Sequence, residues 1–207
     1  MKLYYSPGAC SLACHIVACE AGIAIELEKV DLKTKRTQSG SDFFEINPKG
    51  NVPVLSLDDG SSFTESTAIM QFLADLKPAC ELAPPAGTMA RYRLQEWLGF
   101  INSELHKRYS PLFNPATPDT ARLEQREEQR EEIQKLYAWV DEVLATRPWL
   151  LGERFCAADA YLFTVTNWAP YVDLDLSQFS AIAAFQQRVA SRPHVREALL
   201  AEGLMSG

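Results

Sequence analysis

The sequence predicts a small α/β domain with a mixed sheet, followed by an all-α domain. The chain has 207 residues, enough for one or two domains of ordinary size. Residues 1–78 alternate short β-like runs with helical patterns, whereas helical periodicity alone continues over residues 88–207. Residues 79–87 include two adjacent prolines and carry weak patterning, which is typical of a linker. We therefore expect a domain boundary at this linker.

The elements of the first domain follow from apolar spacing and from turn residues. Strands are predicted at residues 2–5, 25–30, 51–57 and 61–63, and helices at residues 10–22 and 64–76. The first helix ends at Gly22, which suits the left-handed position after a helix. The last two strands are joined by Asp58-Asp59-Gly60, a sequence typical of a hairpin turn.

The second domain shows the 3.6-residue repeat of buried helix faces. Helices are predicted around residues 94–105, 133–144, 157–168 and 179–189. Pro111, Pro115 and Pro118 are expected to separate the first two of these helices. Residues 122–132 are dense in charges of both signs, which favours a solvated helix face over a binding surface.

Composition excludes several classes of protein. Hydrophobic residues make up 47% and charged residues 23% of the chain, a globular rather than a disordered composition. The net charge of −7 argues against a nucleic-acid interface, which needs a basic face. The longest stretch without charged residues, 3–19, is interrupted by Pro7 and Gly8, so no membrane span is expected. Five cysteines without a signal peptide indicate reduced thiols in the cytoplasm.

Cys10 is the first candidate for chemistry. It follows a predicted strand and a Ser6–Ala9 turn, and it opens the first helix. Unpaired backbone N–H groups and the positive end of the helix dipole at such a place favour a thiolate. The adjacent Ser11 hydroxyl is a candidate donor to that thiolate. A small cysteine buried at a turn is the alternative, and position alone does not decide between the two.

Cys10, Cys14 and His15 superficially resemble a metal cluster. A structural zinc site needs four ligands, however, and no second pair follows at a matching spacing. We therefore expect no metal, and we expect Cys14 to line the inner face of the helix.

Two later segments have the chemistry of a peptide-binding site. In the segment Asn47–Leu55, a cis Pro53 would leave the Val52 backbone free to pair with an extended peptide. The quartet Thr64–Thr67 lies at a predicted helix start, whose N–H groups suit a ligand carboxylate, and Glu65 suits an ammonium group. Simple helix capping is the alternative explanation of the quartet.

Five segments, in order and at matching spacing, resemble the beta-class glutathione transferases of bacteria. They are Met1–Ser11, Asn47–Leu55, Phe63–Ser66, Ser103–Lys107 and Ala158–Phe163. The class carries a cysteine where other classes carry tyrosine or serine. The resemblance implies a thioredoxin-like N-terminal domain with a mixed four-stranded sheet. It also implies a C-terminal helical bundle that contributes the electrophile pocket, glutathione as co-substrate, and a homodimer.

The resemblance also assigns roles to residues. The Val52 backbone would bind the cysteinyl part of glutathione, Glu65 and Ser66 its γ-glutamyl end, and Lys35 its glycyl carboxylate. The implied catalytic residues are Cys10, Ser11 and His106. The implied glutathione-binding residues are Cys10, Lys35, Val52, Pro53, Glu65, Ser66, Ser103, Glu104 and His106. An apolar pocket for the electrophile is expected around Tyr5, Phe113 and Trp168.

Two chemistries follow from this assignment. The glutathione thiolate would attack an electrophilic carbon, or Cys10 would attack a disulfide and form a mixed disulfide with glutathione. The alternatives are a non-catalytic ligand carrier, a scaffold protein and a glutathione-dependent reductive dehalogenase. The chain departs from the class at Gly99, where many members have asparagine, and at Cys156, where a helix-capping Ser or Thr is usual.

Overall fold

The computed structural model describes residues 1–113 and 120–206. Pro115 and Pro118, two of the prolines predicted to separate helices, lie outside the described residues. The third, Pro111, lies inside a helix rather than between helices. Among the helices of the described ranges, none has the length and hydrophobicity that crossing a membrane requires.

The first half of the chain forms one mixed sheet of five strands. They are β1 Lys2–Tyr5, β2 Glu26–Asp31, β3 Arg36–Thr37, β4 Val54–Ser56 and β5 Ser62–Thr64. Their order is β3-β2-β1-β4-β5, with β1 parallel to β2 and every other pair antiparallel. The predicted number of four strands was wrong because β3 has only two residues, too few for a hydrophobic period. The Asp31 carboxylate forms the turn before β3 by accepting the Lys33 and Thr34 N–H groups at 2.7 and 3.1 Å.

Nine α-helices and one π-helix are present in the described ranges. The helices of the first half are α1 Ser11–Glu20, α2 Phe43–Ile46 and α3 Ser66–Leu76. The second half contains α4 Met89–Phe100, a π-helix Ile101–His106, α5 Lys107–Phe113, α6 Thr120–Ala145, α7 Ala157–Thr166, α8 Ser180–Ala190 and α9 Pro193–Ala201. Helix α9 was not predicted; its sequence signal is Pro193 at the first helical position.

Helix α1 lies at the centre of the molecule. It packs against β1 and α3 on one side and against α7 and α9 on the other. Its first eight residues, Ser11–Ala18, are all buried, in agreement with the inward position predicted for Cys14. One apolar core therefore extends through both halves of the chain. The division at residues 79–87 stays a prediction.

The predicted departure at Cys156 is visible at the start of α7. Cys156 is the residue before the helix, and the buried Asp159 carboxylate accepts its N–H at 2.8 Å. The second oxygen of Asp159 accepts the Leu150 N–H, also at 2.8 Å. The carboxylate therefore satisfies two buried backbone donors, one of them at the helix terminus.

Candidate active site

A cavity of about 770 Å³ opens where the end of the sheet meets the helical half. Nine of the predicted site residues line it: Cys10, Lys35, Val52, Pro53, Glu65, Ser66, His106, Phe113 and Trp168. These residues come from both halves of the chain and are separated by up to 158 positions in sequence. The fold therefore brings together motifs that the sequence places far apart.

Four predicted site residues are absent from the described lining. Tyr5 lies in the core beneath the sheet and is 8% exposed. Ser11 is fully buried, and its hydroxyl donates to the Ser6 carbonyl at 3.3 Å. Ser103 donates to Glu104 at 3.1 Å, and neither side chain is part of the lining. For these four residues, direct contact with a ligand is not supported.

The π-helix explains why Ser103 and Glu104 point elsewhere. Hydrogen bonds of the i→i+5 type widen the turn, so residues four apart share a face better than residues three apart. Asn102 and His106 therefore line the cavity together, whereas Ser103 and His106 do not. Sequence reasoning assumed an α-helical turn here and left Asn102 out of the predicted site, naming it only as one possible source of the polar contact that Gly99 cannot make.

Cys10 lies immediately before α1, as predicted, with its thiol directed at a backbone carbonyl. The Cys10 Sγ donates to the Val52 oxygen at 3.3 Å. Burial raises the pKa of Cys10 to about 11, although the Ser66 hydroxyl and the backbone N–H of Ser11 act in the opposite direction. Of the two alternatives that position left open for Cys10, the raised pKa favours the buried thiol, because desolvation of the thiolate outweighs the effect of the helix terminus. In this arrangement Cys10 is a neutral hydrogen-bond donor.

The loop that precedes β4 forms the polar side of the cavity. The Val52–Pro53 peptide bond is cis, as the sequence predicted. The Lys35 Nζ donates to the Gly50 carbonyl at 2.7 Å. Lys49, which sequence reasoning did not select, donates to Glu65 Oε1 at 2.6 Å. The signal for Lys49 was its place within the Asn47–Leu55 motif.

Glu65 and Ser66 stand at the start of α3, as expected. Glu65 has φ +75°, a sparsely populated conformation for a residue other than glycine. Its side chain is exposed at the cavity, and α3 begins with the next residue. The free N–H groups of the first helical turn and one carboxylate therefore face the same space.

His106 forms the opposite wall. Its Nδ1 lies 2.7 Å from the Tyr161 hydroxyl, and its ring stacks edge-to-face on Trp168 at 4.8 Å. Trp168 in turn donates its indole N–H to the Gly8 carbonyl at 2.7 Å. Burial lowers the pKa of His106 to about 4, and the neighbouring Lys107 charge adds to the effect. The imidazole is therefore neutral at physiological pH.

Apolar side chains surround the opening of the cavity. Leu32, Phe113, Tyr171 and Leu204 all line it and are all exposed. Phe113 also packs edge-to-face against Trp168 with ring centroids 5.8 Å apart. This apolar rim suits a hydrophobic ligand next to the polar side of the cavity. In the described part of the chain, no cluster of His, Cys, Asp and Glu is suited to a metal ion.

Comparisons with known proteins agree in both halves. The family described as "Glutathione S-transferase, N-terminal domain" matches residues 8–76, and "Glutathione S-transferase, C-terminal domain" matches residues 100–193. The chain is 50% identical to the glutathione S-transferase GstA of Escherichia coli O157:H7, covering 99% of this chain and 100% of that protein.

Two solved structures show the same fold. A sphingomonad glutathione S-transferase complexed with glutathione has a TM-score of 0.93 and 44% identity, covering 99% of this chain and 100% of that one. The bacterial beta-class enzyme of Sphingomonas chungbukensis has a TM-score of 0.93 and 42% identity at the same coverage.

The raised pKa of Cys10 predicts slow and strongly pH-dependent alkylation. Because only the thiolate reacts, the rate with iodoacetamide should rise about tenfold per pH unit from pH 7 to pH 9. Peptide mass spectrometry of the Cys10 segment gives this rate. In Ser66→Ala, which lacks the hydroxyl that lowers the pKa of Cys10, alkylation should be slower at each pH. A plateau of the wild-type rate below pH 8 would contradict the raised pKa.

Proposed function

The chain belongs to the glutathione S-transferase family, and from this premise we propose a beta-class enzyme that joins glutathione to electrophilic small molecules. The observation that carries the proposal is the cavity, in which Cys10, Val52, Glu65 and His106 meet from four separate motifs. The relative solved with glutathione and the beta-class neighbour support the co-substrate and the class. No residue of the proposed mechanism requires a metal.

The polar side of the cavity has the charges that glutathione needs. Glutathione is a small peptide with two carboxylates and one ammonium group. We propose that its cysteinyl part lies along the Val52 backbone and that its ammonium group meets the Glu65 carboxylate. The γ-glutamyl carboxylate would lie at the first turn of α3, at Ser66. Lys35 keeps two of its three N–H donors after bonding Gly50, and these would hold the glycyl carboxylate.

On the helical side, we propose ligand contacts for residues that line the cavity. Asn102, His106 and Lys107 do so, and His106 would lie closest to the glutathione sulfur. Ser103 and Glu104 would not touch the ligand, since their side chains bond to each other outside the cavity lining. Ser11 would hold the turn before Cys10 through its bonds to Ser6.

In conjugation, the protonated Cys10 thiol would donate a hydrogen bond to the glutathione sulfur. This donor now points at the Val52 carbonyl and requires only a rotation of the side chain to change partner. The S–H proton of glutathione would pass to the neutral His106 imidazole or to water as the sulfur forms the bond to the electrophilic carbon, which releases its leaving group. Phe113 and Trp168 would hold the apolar part of the electrophile.

In thiol–disulfide exchange, Cys10 would react itself. Its thiolate would attack one sulfur of oxidised glutathione, form the mixed disulfide and release the other half as glutathione thiolate. Oxidised glutathione supplies the oxidising equivalents, so no further reactant is needed. The high pKa of Cys10 makes this path slow at neutral pH.

Intact mass spectrometry tests the mixed disulfide. After incubation with oxidised glutathione, the wild type should gain one glutathione unit on Cys10, faster at pH 9 than at pH 7 because more thiolate is present. Cys10→Ser should gain none at this position. A wild type without the adduct at pH 9 would contradict the exchange path.

Cys10→Ala should separate the two activities. Disulfide reductase activity should fall about a hundredfold or more, because the attacking atom is lost. Conjugation should fall only about tenfold or less, because a single hydrogen bond to the sulfur is lost. Assays with a glutathione mixed disulfide and with an aromatic halide measure the two rates. Equal losses would refute this division.

We also propose a cytoplasmic homodimer. Apolar side chains stand exposed on neighbouring elements, with Leu76 at the end of α3 and Met89 and Tyr92 on α4. Sedimentation equilibrium at micromolar concentration should give twice the mass of one chain, and Tyr92→Glu should weaken the association by placing a charge on this face. A wild-type monomer would contradict the dimer. All five cysteines are unpaired, as suits a reducing compartment.

The exposed apolar rim favours one alternative, a non-catalytic carrier of apolar compounds. Saturable binding of a hydrophobic dye without turnover of glutathione would support the carrier. Turnover of glutathione with an aromatic halide would support the enzyme, and a reductive dehalogenase would release chloride without forming a conjugate.

A further inference from the structure

We propose that Tyr161 and Asn102 are positioning residues that hold His106 as its Nδ1–H tautomer, so that Nε2 faces the cavity as a proton acceptor. The inference rests on the proposed function, in which the glutathione sulfur lies beside His106. Three side chains form one hydrogen-bond chain, Asn102–Tyr161–His106, and only one direction of donation fits their chemistry.

The donors and acceptors of this hydrogen-bond chain are assigned starting from Asn102. Its Oδ1 lies 2.9 Å from the Tyr161 hydroxyl and has no proton to give, so Tyr161 is the donor. A tyrosine hydroxyl has a single proton, so its oxygen can only accept from His106, whose Nδ1 lies 2.7 Å away. The Nδ1 atom therefore carries the proton. A neutral imidazole has one N–H, which leaves Nε2 with a free lone pair.

Packing holds these hydrogen-bonded side chains in place. Tyr161 is fully buried on α7, and its ring meets the His106 ring edge-on at 6.0 Å. The Trp168 ring also packs edge-to-face against the imidazole, with centroids 4.8 Å apart. The π-helix places Asn102 and His106 four residues apart on one face, so both reach the same hydroxyl. Burial also keeps the imidazole neutral.

The tautomer decides what His106 offers to a thiol. With the proton on Nδ1, Nε2 accepts the S–H hydrogen of glutathione; as the sulfur attacks, the S–H bond breaks and an N–H bond forms. Because burial disfavours the imidazolium, His106 holds this proton only briefly and passes it on to water. The opposite tautomer would present an N–H donor and could take no proton. The hydrogen bond from His106 to Tyr161 therefore makes Nε2 of His106 the proton acceptor.

Long-range ¹H–¹⁵N correlation spectra of the full chain distinguish the two tautomers. The sequence has three histidines, and His106→Gln assigns the signal of interest. The wild type should show the Nδ1–H pattern at His106. Tyr161→Phe should shift it mainly to the Nε2–H pattern, which free imidazole prefers. Tyr137→Phe is the matched control, because it removes another buried hydroxyl of the helical half, bonded to Tyr109 and Thr166.

Substitutions at Asn102 test the chain without disturbing the core, since this side chain is exposed. Asn102→Ala frees the Tyr161 proton to bond to Nδ1, so the pattern should move toward Nε2–H. Asn102→Asp keeps an oxygen acceptor and should retain the wild-type pattern. If Asn102→Asp instead changes the tautomer, the amide nitrogen faces Tyr161 in the wild type and the proposal is overturned.

Kinetics test the use of the acceptor. Tyr161→Phe should lower kcat for conjugation about tenfold or more while KM for glutathione changes less than about threefold. Tyr137→Phe should leave both within about twofold. An unchanged His106 signal in Tyr161→Phe would overturn the proposal. Absence of glutathione binding to the wild type, measured by calorimetry, would refute the proposed function itself, whereas the spectra would still decide the tautomer.

Discussion

The structure depends on how the backbone of Gly8 is held. Its carbonyl accepts the Trp168 indole N–H at 2.7 Å, and its N–H donates to the Glu202 carboxylate at 2.9 Å. Both partners come from the helical half, and Glu202 is itself buried beside His15 at 3.0 Å. Two charge-assisted or buried hydrogen bonds are costly to leave unmade. The turn before Cys10 therefore cannot shift without moving the end of the chain.

Burial at the cavity has opposite effects on the pKa values of two groups. It raises the pKa of Cys10 to about 11 and lowers the pKa of His106 to about 4, because burial penalises the charged form of each. Near pH 7 the cavity therefore presents a neutral thiol and a neutral imidazole. One group can donate a proton in a hydrogen bond and the other can accept one, so neither must change charge before a ligand arrives.

Local patterns predicted most of the fold but only part of the site. Periodicity identified the long strands and helices, and the motif around Pro53 identified the cis peptide bond. Periodicity missed β3, which is too short to show a period. It also missed the π-helix, whose wider turn changes which residues share a face. The direction in which the Cys10 pKa is shifted could not be predicted from the sequence. It depends on burial of the thiol and on partners from other segments, such as Val52 and Ser66, and no local pattern encodes these contacts.

The two sides of the cavity divide recognition between them. Lys35 and Glu65 provide charges on the polar side, where Lys35 donates to the Gly50 carbonyl and Glu65 accepts from Lys49. The rim instead consists of exposed apolar side chains, including Phe113 and Tyr171. Apolar contacts discriminate by only about 1–3 kcal/mol per methylene, so they select a second ligand weakly. The proposed function therefore assigns the polar side to a ligand with charged groups and the apolar rim to a less strictly selected hydrophobic one.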